Sequence, residues 1–434
     1  MDKGLLAITR RRLLTGAAAG SAALLAGCAS GEGAVRAEPD GKKGGLAGAF
    51  HTPHLTVGAD TARSVTVEWV NPGVDRLELR AAGSGTLLKS IESPARGVTL
   101  EGLGFPLHAV QLTGLDPAAS YEYRIGESGR WHGFRTASDS AVRALVFTDT
   151  QSKDLFKTWK KIYRAAQKQQ PGADFSTVLG DLVDMGSKLG YWEDWFAAVR
   201  PGAMSQPIAP VMGNHECYRM RPGERHFSRT FPAPYLEFFT VPGNGVPGLE
   251  RWFYTFDSGP VHFVVLNTQW LDAEDFRPGL LASMKAWFLE KGRKTDRPWT
   301  VVLMHKDIMH YPSAKKPGLK VGFSKTGRAL MPLFEDSGVD LVLAGHLHTY
   351  RRRGHIRNFR RAASGPCYFV CGVAGNLPHD IAAVHKLDIV RGTRPELGNY
   401  LLLEADSGRL SVKCFLPDGR EFDRAELVKK GGAA

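Results

Sequence analysis

Seven side chains of metal-binding type stand directly after short apolar runs of this chain. The runs are rich in β-branched residues and show no polar alternation, which is typical of strands buried on both faces. The groups that follow them are carboxylates, amides and imidazoles without a thiolate, and this mixed set suits manganese, iron or zinc. The candidate ligands are Asp149, Gln151, Asp181, Asn214, His305, His346 and His348.

Two cations that share one carboxylate account for this number of ligands. Because ligands gather outside the carboxyl ends of strands in open α/β sheets, we expect the seven side chains to meet at one edge. Two ions about 3.5–4 Å apart can share a bridging hydroxide at neutral pH, and that geometry fits in-line hydrolysis of a phosphate ester. The expected sets are Asp149, Gln151, Asp181 and His348 for one ion, and Asp181, Asn214, His305 and His346 for the other.

The spacing of two of these ligands requires an irregular backbone. His346 and His348 are two residues apart, so the segment must leave strand geometry if both side chains point inward and both bind metal. Gly345, directly before them, permits such a turn because glycine has no Cβ.

The motifs that contain these residues resemble those of the calcineurin-like metallophosphoesterase superfamily. They are Asp-x-Gln at 149–151, Gly-Asp-x-x-Asp at 180–184, Gly-Asn-His-Glu at 213–216, His305 and Gly-His-x-His at 345–348. Further stretches are similar to the purple acid phosphatase branch, at 252–256, 259–263, 302–305, 345–351 and 372–376. The resemblance covers roughly residues 51–425 and implies a four-layer αββα sandwich with a two-metal active site.

The resemblance also implies roles for residues that bind no metal. His215 matches a histidine that lies over the phosphate and helps to protonate the leaving alkoxide, and Asp184 is expected to orient its ring. Alternatively, Asp184 caps a helix that begins near Met185. The residues expected to contact substrate are Asn214, His215, Tyr350 and Arg351.

Two positions depart from the family pattern. Asp184 stands where purple acid phosphatases have the tyrosine that binds ferric iron, so no tyrosinate–iron colour is expected. Gln151 stands where the wider superfamily usually has histidine, and its amide oxygen should bind metal less tightly than an imidazole. The identity of the two divalent ions therefore stays open among Fe, Mn and Zn.

Residues 1–27 have the features of a signal peptide. The sequence around Arg10-Arg11-Arg12 resembles a twin-arginine (Tat) export signal, and the apolar stretch after it is too short to span a bilayer. The box that ends at Cys28 is similar to that of bacterial lipoproteins, which predicts a lipid anchor at Cys28 in the cell envelope. The alternative is a plain signal cleaved near Ala29.

Three further segments follow the signal. Residues 28–50 are rich in glycine and alanine and are predicted to form a flexible tether. Residues 51–137 contain short alternating strands between turns and resemble a fibronectin type III-like module, an all-β sandwich. Residues 141–425 are predicted to form the catalytic domain, with a helix over 155–169 and a hairpin over 401–415.

The composition narrows the choice of partners. The net charge of +12 steers anionic molecules towards the protein, but no basic module interleaved with aromatic residues indicates nucleic-acid binding. A small phosphoester is thus the expected substrate, and 217–242 is expected to form a lid or wall that selects it. Two alternatives are a phosphodiesterase with the same site and an inactive surface ligand-binding protein.

The sequence also leaves the disulfide pattern open. Three pairings are possible among Cys217, Cys367, Cys371 and Cys414.

Overall fold

The computed structural model describes residues 52–70, 73–93, 100, 106–221, 223–224, 226–293, 296–312 and 317–429. They belong to one compact unit, 43–434. The predicted signal peptide 1–27, the lipidation site Cys28 and the tether 28–50 lie outside the described residues. Within these described ranges, no helix has the length and apolar character needed to cross a membrane.

The larger of two central sheets has nine strands, which we number in chain order. It is mixed, because three of its central strands (142–147, 175–178 and 208–210) run parallel to one another while the C-terminal strands pair antiparallel. From edge to edge the strands are β25 (Glu421–Val428), β24 (Arg409–Phe415), β23 (Tyr400–Ala405), β8 (Val142–Phe147), β9 (Phe175–Val178), β10 (Ile208–Pro210), β1 (His54–Val57), β2 (Val65–Val70) and β5 (Leu107–Leu112).

The second central sheet has eight strands and is parallel in its middle. Its path is β13 (Tyr254–Ser258), β14 (Val261–Leu266), β15 (Trp299–Met304), β18 (Leu341–Ala344), β21 (Cys367–Gly372), β19 (Thr349–Arg357) and β20 (Arg360–Arg361), with β22 (Val390–Arg391) beside β19. Both sheets bury apolar β-branched side chains on two faces, as predicted for runs without alternation.

The two sheets face each other across an aromatic contact. Phe175 of β9 lies 5.2 Å, between ring centroids, from both Phe256 and Phe263 of the second sheet. Phe147 points to the opposite face of its sheet and contacts Trp159 of the first helix at 5.0 Å. The helices are α1 (Lys157–Gln169), α2 (Leu189–Val199), α3 (Ala233–Phe238), α4 (Trp270–Ala273), α5 (Leu280–Trp287) and α6 (Lys325–Asp336), with a π-helical turn at Phe288–Gly292 and 3₁₀ turns at Gly202–Met204 and His215–Cys217.

The N-terminal part of the described chain forms two sheets around a separate apolar core. Four strands pair in the order β4 (Leu87–Glu92), β3 (Arg76–Ala81), β6 (Ser120–Ile125) and β7 (His132–Arg135). They share a buried cluster, which includes Trp69 and Tyr123, with β1, β2 and β5. Because β1 also pairs in parallel with β10, this half of the module extends the larger central sheet.

Two short ribbons follow candidate site residues. One pairs β11 (Tyr218–Arg219) with β12 (Ser228–Arg229), and the other pairs β16 (Met309–His310) with β17 (Gly322–Phe323). The four cysteines of the described chain are buried free thiols, Cys217, Cys367, Cys371 and Cys414. None of the three disulfide pairings that the sequence allows is formed among them.

Candidate metal centre and active site

The candidate ligands lie where strands from both central sheets end. Asp149, Asp181 and Asn214 follow β8, β9 and β10 of the larger sheet, whereas His305 and His346 follow β15 and β18 of the second sheet. The site is therefore built between the carboxyl ends of two facing sheets. The sequence pattern predicts the strand ends but does not reveal that they belong to two sheets.

The ligands form two groups that share one carboxylate. Asp181, His305 and His346 present ligand atoms within 4.8 Å of one another, and so do Asp149, Asp181 and His348. The two amides join these groups. Asn214 Oδ1 lies 3.0 Å from His305 Nε2, and Gln151 Nε2 lies 3.1 Å from His348 Nε2. The structure thus brings together all seven residues that the sequence singles out.

The first group places several electron-pair donors around one point. His305 Nδ1 donates to the carbonyl oxygen of Leu179 at 2.7 Å, so Nε2 carries the lone pair of the neutral ring. That lone pair faces Asn214 Oδ1 at 3.0 Å, Asp181 Oδ1 at 3.3 Å and His346 Nδ1 at 3.2 Å. Without a proton or a cation between them, these atoms would repel one another, so the donor set fits a metal ion.

The second group contains two buried oxygens without a partner. His348 Nδ1 donates to Leu377 O at 2.5 Å, which turns its Nε2 towards Asp149 Oδ1 at 3.3 Å. Asp149 Oδ1 and Gln151 Oε1 are both buried and accept no hydrogen bond from any described residue. Exchange of the two ends of the Gln151 amide would direct its oxygen at Asp181 and His348. An oxygen-binding cation would satisfy Asp149 Oδ1 and, after that exchange, Gln151 Oε1, so this group also fits a metal ion.

The charged side chains of the two groups shift one another's pKa values. Burial alone would raise the pKa of Asp181 and lower that of His305, but their mutual attraction is stronger. The pKa of Asp181 consequently lies well below its usual range, and the pKa of His305 is raised to about 9. Burial and the His305 charge lower the pKa of His346 to about 3, so this imidazole is neutral. At neutral pH, a protonated His305 therefore faces the Asp181 carboxylate at 3.3 Å unless a cation takes the place of the proton.

Four candidate ligands have a backbone conformation that is costly for residues with a side chain. The φ angles are +52° at Asp149, +53° at Asp181, +71° at His346 and +50° at His348. Such left-handed residues cost about 1 kcal/mol or more each and cluster at functional sites. The predicted bend in the last motif is therefore made by the histidines themselves. Gly345 is needed because a Cβ would lie 1.9 Å from Thr148 Oγ1.

Glu216 is a structural residue of the site that sequence reasoning missed. It is fully buried, and its Oε2 accepts the backbone N–H groups of Asp181 at 2.9 Å and Gly213 at 2.7 Å. Its Oε1 accepts those of Leu182 at 2.8 Å and Val183 at 3.4 Å. Burial and the Asp181 charge raise the pKa of Glu216 to about 8. Glu216 thereby ties the loop after β9 to the loop after β10.

His215 lies at the site, but its ring is not oriented as predicted. Its Nε2 is 3.9 Å from Asp181 Oδ2, and its Nδ1 is 2.6 Å from the backbone carbonyl oxygen of Asp184. The Asp184 carboxylate accepts the backbone N–H of Ser152 at 2.8 Å instead. The prediction that the Asp184 side chain orients the His215 ring is therefore wrong, because the backbone carbonyl oxygen of Asp184 orients it. Nor does Asp184 cap a helix, since α2 begins at Leu189.

The predicted substrate contacts of Tyr350 and Arg351 are also wrong. Both residues are 1 % exposed. The Tyr350 hydroxyl donates to Asp423 Oδ2 at 2.8 Å, and Arg351 Nη1 lies 2.6 Å from Asp388 Oδ2. The next charged pair, Arg353 with Asp307, is equally buried. Arg351 and Arg353 are thus neutralised by buried carboxylates from distant segments of the chain.

Two more residues contact the site without any sequence pattern that marks them. The Tyr218 hydroxyl accepts a hydrogen bond from Asn214 Nδ2 at 3.1 Å. The exposed ring of His379 stacks on His348, with centroids 4.3 Å apart and an interplanar angle of 6°. Both contacts come from segments whose path only the fold defines.

Comparisons with known proteins agree with this geometry. A family model described as calcineurin-like phosphoesterase matches residues 142–350. Purple acid phosphatase 23 of Arabidopsis thaliana is 31 % identical over 345 residues, which cover 71 % of this chain and 70 % of that protein. Alignments with three other purple acid phosphatases of the same plant span only 58–60 % of those chains.

Two solved structures share the fold. The purple acid phosphatase PPD1 from seeds of yellow lupin (Lupinus luteus) superposes with a TM-score of 0.72 at 19 % identity, over 87 % of this chain and 74 % of that one. The structure of PhoD superposes with a TM-score of 0.61 at 10 % identity, over 88 % of this chain and 93 % of that one. At these identities, the likeness establishes the metallophosphoesterase fold.

Proposed function

Because this chain belongs to the calcineurin-like phosphoesterase family and is related to the purple acid phosphatases, we propose that it hydrolyses phosphate monoesters with two divalent cations as its cofactor. Membership of the family makes the chain a metal-dependent phosphoesterase, and the choice of monoesters is the proposal. The observation that carries it is the convergence of two groups of electron-pair donors that share Asp181, with the orphaned Asp149 Oδ1 among them.

Each side chain of the site has a defined task in this proposal. Asp181 would be shared by the two cations; one is completed by Asp149, Gln151 and His348, and the other by Asn214, His305 and His346. When bound, the cations supply an activated water and positive charge for the phosphate. Leu179 O and Leu377 O fix the ring tautomers of His305 and His348, so that Nε2 of each ring is available.

His215 would serve the leaving group. Its Nδ1 proton is held by the carbonyl oxygen of Asp184, which leaves Nε2 as the ring atom on the side of Asp181, 3.9 Å from its Oδ2. In its protonated form, this ring donates the Nε2 proton to the departing ester oxygen, and the product leaves as an alcohol. The side chain is 21 % exposed, so a substrate can reach it from solvent.

A substrate panel with controlled metal content tests the proposal. We expect the protein to hydrolyse p-nitrophenyl phosphate faster than bis(p-nitrophenyl) phosphate. Activity should disappear after chelation and return with Mn, Fe or Zn. Faster cleavage of the diester would identify a phosphodiesterase. Full metal content without hydrolysis of either ester would favour a ligand-binding protein.

The location and the N-terminal module are part of the same proposal. We infer export by the twin-arginine route and a lipid anchor at Cys28, on the basis of the sequence motifs alone. We also propose that 51–137 is a fibronectin type III-like module; the strand orders β1-β2-β5 and β4-β3-β6-β7 support this assignment. A Cys28→Ser variant that still fractionates with membranes would contradict the anchor.

A further inference from the structure

Two aromatic side chains form a partly exposed surface beside His215. Phe227 is 40 % exposed, although large apolar side chains are usually buried. Its ring stacks on that of Tyr218, with centroids 5.1 Å apart and an interplanar angle of 16°. We call Phe227 and Tyr218 the aromatic shelf. An exposed apolar surface beside a charged site is typical of a place where a ligand binds.

The shelf lies on the side of the site where the leaving group departs. The Tyr218 ring centroid is 4.7 Å from that of His215, and the Phe227 centroid is 6.1 Å from it. Under the proposed function, His215 protonates the departing oxygen. The organic part of the substrate is bonded to that oxygen, so it must extend past the His215 ring towards the shelf.

The position of the shelf is fixed by its surroundings. Tyr218 begins the ribbon directly after the 3₁₀ turn His215–Cys217 and pairs with Arg229. The Arg229 guanidinium lies 4.2 Å from the Tyr218 ring centroid and 2.6 Å from Asp272 Oδ1. This cation–π contact and ion pair hold the ring in one place, so the shelf is prepared before the substrate arrives.

We propose that the aromatic shelf is the leaving-group subsite and that it selects phosphate monoesters whose leaving group carries an aromatic ring. The inference rests on the proposed function and adds the substrate class. A planar ring can stack on Phe227 while its ester oxygen faces His215. A polyol such as glycerol offers only hydroxyl groups to the same surface and would leave them without partners there.

The test compares an aryl and an alkyl ester in matched variants. For Phe227→Ala, we expect the ratio of kcat/KM for 1-naphthyl phosphate to that for glycerol 3-phosphate to fall about 3- to 10-fold from the wild-type ratio. The intrinsic reactivities of the two esters cancel in this comparison. Phe227→Tyr should keep the wild-type ratio.

Phe231 provides the matched control. It belongs to the same segment and is also 40 % exposed, but it contacts Trp252 and Phe276. Phe231→Ala should therefore leave the ratio unchanged. An unchanged ratio in Phe227→Ala, or an equal fall in Phe231→Ala, would overturn the aromatic shelf.

A binding measurement separates this inference from the proposed function. Phenylphosphonate and methylphosphonate are not hydrolysed at the phosphorus–carbon bond, so calorimetric titration reports their binding alone. We expect Phe227→Ala to weaken binding of phenylphosphonate more than that of methylphosphonate. If the metal-loaded wild type cleaves neither ester, the proposed function fails, while these titrations still decide whether the shelf binds aromatic groups.

Discussion

The Tyr218 hydroxyl and the His305 ring hold the two ends of the Asn214 amide. The hydroxyl lies 3.1 Å from Asn214 Nδ2, and Asn214 Oδ1 then lies 3.0 Å from His305 Nε2. A proton or a cation at His305 Nε2 favours the amide oxygen on that side, and the Tyr218 hydroxyl then accepts the N–H at the other end. Tyr218 therefore orients a candidate metal ligand although it touches no expected metal position.

Removal of this hydroxyl should weaken one of the two metal sites. For Tyr218→Phe, we expect about tenfold or greater loss of affinity for the cation beside Asn214, since partners that orient metal ligands have effects of this size. This affinity is measured as the metal content that remains after dialysis against increasing concentrations of a chelator. Tyr123→Phe is the control, because it loses only a hydroxyl contact to Met204 O. Equal metal retention in both variants would refute the orienting role.

Glu216 should matter for stability even without metal. In Glu216→Gln, the new NH₂ group faces two backbone N–H donors and leaves them unsatisfied, so we expect the free energy of unfolding to fall by about 2–4 kcal/mol. Urea denaturation in the presence of chelator measures this change, at about pH 9, where the Glu216 carboxylate with its pKa of about 8 is ionised. Glu404→Gln, which alters partly exposed ion pairs with Arg143 and Lys413, should change the free energy of unfolding by only about 1 kcal/mol.

Metal binding should release a proton from His305. Its pKa is raised to about 9 by Asp181 in the metal-free site, so the ring is protonated at neutral pH and a cation must displace that proton. Affinity for the metal should consequently fall as pH drops below 9, by up to about tenfold per unit. Calorimetry in buffers of different ionisation enthalpy counts the protons. Proton release that persists undiminished in His305→Asn would contradict the assignment.

Gln151 should limit how tightly one cation is held. An imidazole at this position binds more strongly than an amide oxygen, so Gln151→His should retain metal at higher chelator concentrations, and Gln151→Leu should lose it at lower ones. One end of the Gln151 amide lies 3.1 Å from His348 Nε2 while the other, Oε1, has no partner, so exchange of the two ends would place the oxygen at the candidate site. Unchanged retention in both variants would mean that Gln151 is not a ligand.

Asp184 and His215 should differ sharply in their effect on turnover. His215→Asn removes the proposed proton donor and should lower kcat by about 10²- to 10⁴-fold while both cations stay bound. Asp184→Asn keeps the backbone carbonyl that holds the ring, so kcat should change by less than about threefold. A large loss of kcat in Asp184→Asn would restore a role for its carboxylate.

The ligand set could be read from the sequence because its pattern is local. An apolar run predicts a buried strand, and the residue after it must lie at the strand end, so β8, β9, β10, β15 and β18 and their polar successors were predictable. The helix over 155–169 and the hairpin over 401–415 were predicted by the same short-range periodicity. They correspond to α1 and to the β23–β24 pair.

Side-chain partners could not be read in this way. The motif predicts that His215 needs an orienting group near Asp184, but whether a carboxylate or a carbonyl provides it depends on how Ser152 approaches from another strand end. Tyr350 and Arg351 follow the last metal motif, and this position predicts contact with the substrate. Their burial against Asp423 and Asp388 depends on segments that lie far along the chain.

The sequence alone determined which residues end each strand and what chemistry their side chains can perform. Tertiary structure decided that those strands belong to two facing sheets, that Glu216 joins two loops, and that Tyr218 and Phe227 lie beside His215. The physical reason is the range of the interactions. Strand formation depends on neighbouring residues, whereas the orientation of a polar side chain depends on donors, acceptors and packing that folding brings from distant parts of the chain.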